Sequence, residues 1–129
     1  MRTEKNYSVL LIAIMFLLSF QSSASAAVCT SSQLSSIRSA QSALNTKQSS
    51  LSRAQSDLAK VNQKINTLQQ QISKYMRMKN GSPFLASTQR QLDSALRDQG
   101  REMSKVSTAQ TFYDMYLRSY NSAAARCTP

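Results

Sequence analysis

The chain has 129 residues, 16 Lys and Arg against 6 Asp and Glu for a net charge of +10, two each of Cys, Gly and Pro, and neither His nor Trp. Without histidine there is no Ser-His-Asp or Cys-His nucleophile system, no imidazole metal ligand and no side chain that titrates unperturbed near neutrality. With Gly81 and Gly100 the only glycines, the phosphate-cradling loops and the nucleophile elbow are excluded too, which leaves a non-enzymatic binding or structural module without cofactor or metal.

Residues 1–27 read as a cleavable secretory signal. Arg2 and Lys5 form a basic start, Val9 to Phe20 is an apolar run broken by Ser19, and Ser22 to Ala27 is a stretch of small residues with an A-x-A-type cleavage site after Ala26 or Ala27. The apolar run is shorter than the roughly 20 residues that span a bilayer. Cys29 follows closely, but Val28 stands where a lipoprotein signal places a small residue. The remainder, 28–129, is one domain at most. It carries 14 cations and 5 acids, a net +9.

The first arm, about 31–79, is predicted to be helical. Thr30-Ser31-Ser32-Gln33 matches a capping box at its start. Ile37, Leu44, Leu51, Leu58, Ile65 and Ile72 recur every seven residues, followed three places on by Ala40, Lys47, Ala54, Val61, Leu68 and Tyr75. Six heptads of this kind specify a coiled-coil seam rather than a single amphipathic helix. The arm should stop at Lys79-Asn80-Gly81-Ser82-Pro83, where Asn-Gly tolerates left-handed backbone and Ser-Pro opens a new helix.

The second arm, about 83–126, repeats the pattern more weakly. Leu92, Gln99, Val106, Tyr113, Tyr120 and Cys127 make one row; Leu96, Met103, Gln110, Leu117 and Ala124 are expected to make the other. A turn as short as 80–82 sends the helices back antiparallel. The expected fold is therefore all-α, an antiparallel two-helix coiled-coil hairpin closed by a disulfide. Residues whose numbers sum to about 156–160 should then face each other, which sets Tyr113, Tyr116 and Tyr120 against the small residues near Ala40 and Ala43. The same register brings Lys47 near Gln110, a polar layer expected to fix the alignment. Gly100 is expected to be tolerated within the helix at a cost of about 1 kcal/mol relative to alanine.

Cys29 just precedes the first helix and Cys127 just follows the second. An antiparallel hairpin brings them together at its open end, and an exported chain meets oxidising conditions, so a Cys29–Cys127 disulfide is expected. Two distant thiols without histidine are no zinc set, and the C-x-x-C spacing of a redox pair is missing.

Charge is uneven. The first arm holds eight cations against Asp57, whereas the second holds six against Asp93, Asp98, Glu102 and Asp114, with Asp93–Arg97 and Asp114–Arg118 at a spacing suited to pairing. Around the turn Lys74, Arg77 and Lys79 interleave with Tyr75, Met76, Met78, Phe84 and Leu85. Such a basic-apolar tip suits an anionic surface or an acidic, partly apolar client. Gln41, Gln48, Gln55 and Gln69 recur beside the seam, and a two-helix hairpin buries little core, so association with a further helix or a second copy is consistent with the pattern.

The function expected from these features is an exported, periplasmic or extracellular, non-enzymatic adaptor or client-binding protein of the cell envelope that uses its basic first arm and tip. The partner would be a protein or an anionic envelope component. The alternatives are a membrane-active or toxin-like hairpin acting on anionic lipid and a structural subunit of an envelope assembly. Export argues against nucleic acid as a partner, as do tyrosines set on the seam instead of on a stacking face.

Overall fold

The computed structural model describes residues 29–127; the proposed signal segment lies outside them. Within the described residues the chain forms two helices, α1 (Ser31–Met76) of 46 residues and α2 (Leu85–Ala125) of 41 residues, packed against each other as an antiparallel hairpin. At 1.5 Å per residue these arms are roughly 60–70 Å long. Among the described residues no helix is long and apolar enough to cross a membrane.

Local sequence explains how such polar arms stay helical. At the start of α1 the capping box closes as expected. Gln33 donates its backbone N–H to the Thr30 hydroxyl at 3.2 Å, and its side-chain oxygen accepts from the Thr30 N–H at 2.9 Å. Serine and threonine are weak helix formers because they compete for backbone groups. Here Ser36, Thr46, Ser49, Ser50, Thr67, Thr111 and Ser119 turn their hydroxyls onto the carbonyl four residues earlier, which satisfies them without breaking the helix. Gly100 lies within an unbroken α2, and among the described residues there is no third helix.

The connection is longer than expected, occupying 77–84 instead of 80–82. Arg77 ends α1, Gly81 takes the left-handed conformation at φ 68°, and the Gly81 N–H reaches the Met78 carbonyl at 3.0 Å. Pro83 pushes its predecessor Ser82 out of helical backbone. The Ser82 hydroxyl instead accepts from the Phe84 N–H at 3.2 Å, and α2 begins two residues later than the Ser-Pro signal suggests.

Every seam position of α1 from Ile37 to Tyr75 is buried or half-buried, in agreement with the heptads. On α2 only one of the two expected rows lies in the seam along its whole length. The Leu92–Gln99–Val106–Tyr113–Tyr120 row is half-buried. Its companion is Thr88, Ala95, Glu102, Ala109, Tyr116 and Ala123; of the expected Leu96, Met103, Gln110, Leu117 and Ala124 the first three are exposed, and only Leu117 and Ala124, toward the open end, are half-buried. Leu96 is 44% and Met103 57% exposed, while Ala95 is fully buried against Ile65 and Leu68, with Val61 and Leu92 packed around them. The physical reason is fit: the large residues of α1 need small partners, and alanine at 95, 109 and 123 lets the helices approach.

The disulfide joins Cys29 to Cys127, with their Cα atoms 5.1 Å apart. Nearby the Gln33 amide donates to the Arg126 carbonyl at 3.5 Å. Midway, Gln99 donates to Asn62 at 2.7 Å, and at the turn the Tyr75 and Phe84 rings lie 6.4 Å apart. All four pairs fall within one residue of the expected register.

Candidate functional site

The turn end of the hairpin gathers the residues singled out in the sequence. Tyr75 and Leu85 are half-buried and close the end of the core. Met76, Met78 and Phe84 are not covered: Met76 is 67% and Phe84 63% exposed. The longer turn is the cause, since Met78 and Phe84 sit on irregular backbone between the helices, where no seam can bury them. Lys74, Arg77 and Lys79 are exposed around them, and no ion pair among the described residues engages these three cations. The tip is thus apolar at its surface and uncompensated in charge, a combination that rewards contact with something both anionic and partly apolar.

Along the arms the observed ion pairs differ from those expected. Lys60–Asp57 at 3.2 Å, Arg101–Asp98 at 3.4 Å and Lys105–Glu102 at 2.8 Å all span three residues. Asp93–Arg97 and Asp114–Arg118 do not pair, and Asp114 accepts from the Gln110 amide at 2.9 Å instead. Side-chain reach around one helical turn favours either spacing, and short aspartates meet partners three places on here. Asp57 neutralises only Lys60, so α1 keeps most of its positive charge uncompensated.

The expected Lys47–Gln110 layer is not the one that forms. The Lys47 ammonium lies 5.2 Å from the centre of the Phe112 ring and 5.1 Å from that of Tyr116, a cation–π contact with both rings. Lys47 leans to the flank of the seam that carries Phe112, whereas Gln110 lies on the other flank beside Leu58 and Met103. Its long stem lets the charge leave the seam for the rings. Among the described residues, the pair of side chains hydrogen-bonded from helix to helix is Asn62–Gln99.

A second polar feature escaped the heptad reading. Glu102 occupies a seam position with its side chain only 15% exposed; Oε1 pairs with Lys105, and Oε2 is buried without a hydrogen-bond partner. The Glu102 carboxylate holds the Lys105 ammonium above the usual lysine pKa, by hydrogen bond first and by charge second. The alanines fourteen residues apart at 95, 109 and 123 are the signal that places residue 102, midway between the first two, in the seam.

Among the described residues no group of three His, Cys, Asp or Glu could hold a metal ion. Comparison with protein-family models, with curated proteins and with solved structures finds no match. The functional reading therefore rests on the chain's own surface chemistry.

Proposed function

We propose that the chain is an exported adaptor or client-binding hairpin of the cell envelope that engages an acidic, partly apolar protein partner through its tip and first arm. One observation carries this reading: Met76, Met78 and Phe84 stay exposed at the end of the hairpin among three cations that no carboxylate pairs with among the described residues. A side chain that served only to close the core would be covered, as Tyr75 and Leu85 are in part. The Cys29–Cys127 disulfide is compatible with an oxidising compartment. A rod closed at one end and adhesive at the other holds its binding residues roughly 60 Å from the disulfide, a geometry suited to bridging two components.

Crosslinking from the tip in the native compartment, followed by identification of the bound partner, tests the reading. Capture should fall for Lys74→Glu with Arg77→Glu and Lys79→Glu, and also for Met76→Ser with Phe84→Ser. Unchanged capture with both sets would refute it.

The same residues support a second reading, contact with an anionic membrane surface, because exposed Phe and Met beside Lys and Arg match the chemistry of a lipid interface. Co-sedimentation with anionic but not neutral vesicles, lost on the same charge reversals, would favour it over a protein client. Absence of vesicle binding would remove it.

A further inference from the structure

One face of the hairpin has an unusual character. Beside the α1 seam runs a row of exposed amides, Gln41, Gln48, Gln55, Asn62 and Gln69. Beside the α2 seam runs the row Leu96, Met103, Gln110 and Leu117, the first three exposed and Leu117 half-buried. The two rows share a face, because Asn62 bonds across to Gln99 and Leu58 lines one groove with Met103 and Gln110. Neither row contains a Lys or Arg, although the chain has 16 of them. An acidic partner finds its charges on the other surfaces of the hairpin; what this face fits is a neutral, amide-rich and apolar strip like itself.

We infer that the face binds a second copy of this chain, in an antiparallel two-fold arrangement that makes a four-helix bundle. Both rows are close to palindromic along the helix. Turned end for end about Gln55, Gln41 meets Gln69 of the second copy, and Gln48 meets Asn62. On α2 the same rotation brings Leu96 to Leu117 and Met103 to Gln110, about a centre only one or two residues from the position opposite Gln55. The α1 rim carries Arg38, which meets the Ser73 region, and the α2 rim carries Asp93 and Asp114, which meet Asn121 and Gly100. No like charges oppose each other. The arrangement also sends the two basic tips to opposite ends, whereas a parallel dimer would set them side by side and repel.

The area is sufficient. A strip of roughly 60 Å by 10 Å gives about 600 Å² per copy, or about 1,200 Å² in total, at the lower end of specific interfaces. Such an interface is isologous, as a two-fold dimer requires.

Sedimentation equilibrium on the purified, disulfide-closed protein, from micromolar to millimolar, tests this. A mass twice that of the monomer is expected at high concentration. Leu96→Glu with Met103→Glu should weaken association by at least about tenfold, because the interface would bury unpaired charges, with the helical circular dichroism unchanged. Met115→Glu, on the outer side of α2, should leave it intact. Gln55→Cys, with the native disulfide kept, should crosslink two copies on oxidation far faster than Thr46→Cys. The inference is overturned by a monomeric mass at every concentration. A dimer that ignores the Leu96 and Met103 changes but dissociates on Met76→Ser with Phe84→Ser would overturn it as well, and so would equal crosslinking at both cysteines.

Discussion

Replacing Glu102 with leucine should stabilise the protein, although glutamate is the better solvated residue and takes part in an ion pair. The carboxylate sits in the α2 seam row between Ala95 and Ala109, with its side chain 15% exposed and Oε2 without a partner. A buried polar atom without a hydrogen bond costs about 1–3 kcal/mol. Against this stands the Lys105–Glu102 pair, whose lysine is 65% exposed, and pairs of that kind add little in water. Removing both the stranded oxygen and the pair should therefore gain about 1–2 kcal/mol, with leucine adding apolar contact in a row that faces Leu58. For a domain of this size each kcal/mol moves the melting midpoint by roughly 4–8 °C. The pH dependence gives a second readout. Glu102 raises the Lys105 pKa in the folded state, so the pair's contribution is complete below the unfolded lysine pKa and disappears as pH rises through the higher folded value. The wild-type protein should lose that increment only in alkaline solution, and Glu102→Leu should not show the loss. Thermal and urea melts of the two proteins at neutral and alkaline pH decide the matter. A lower midpoint for Glu102→Leu at neutral pH would refute the argument, since it would mean that the carboxylate is a net contributor to the seam.

The two glycines should respond in opposite directions. Gly100 has open space around it within an unbroken helix, so Gly100→Ala should raise stability by about 0.5–1 kcal/mol in a urea melt. Gly81 also has open space, but its φ of 68° is left-handed, so Gly81→Ala should lower stability by about 1–2 kcal/mol despite the absence of a clash.

How far the fold was legible in the sequence depended on residue size. The α1 seam could be read because its positions carry Leu and Ile at strict heptad spacing, and burial follows them residue by residue. The α2 seam could be read in one row only. Hydrophobicity selects Leu96 and Met103, which are exposed, but packing against the Leu and Ile of α1 selects Ala95 and the row that continues through Ala109 and Ala123, one place earlier. A small residue earns its place by what it lets approach, and the chain's own hydropathy does not record that. The capping box and the disulfide were legible because each depends on local chemistry or on the two ends of a known topology. Lys47 was legible as a polar seam residue but not in its partner, because a flexible stem can choose between two flanks and the rings of Phe112 and Tyr116 lie on one of them. At the tip, exposure of Met78 and Phe84 depended on where α1 stops and α2 starts, and helix ends are the part of an element that sequence defines least.

The disulfide should act locally, and the distribution of burial says where. Among the described residues Leu51, Ile65, Leu68, Thr88 and Ala95 are buried, and all except Leu51 lie in the half of the hairpin nearer the turn. The open half is covered only in part: Ile37, Ala40, Leu44, Tyr113, Tyr116 and Tyr120 are half-buried. Closing 98 residues of chain could contribute about 4–5 kcal/mol if the reduced, unfolded chain behaved as a free loop. That entropy is recovered chiefly where packing alone is weakest. Cys29→Ser with Cys127→Ser should therefore fray the open end first, releasing the Thr30–Gln33 cap and the Gln33–Arg126 bond, while the Val61–Leu68 and Leu92–Ala95 cluster persists. Hydrogen exchange followed by mass spectrometry should show protection falling steeply in residues 31–45 and 112–125 and little in 60–70 and 88–99. A uniform loss of protection along both helices would refute this, because it would mean that the disulfide supports the hairpin as one cooperative unit and not its weakly packed end.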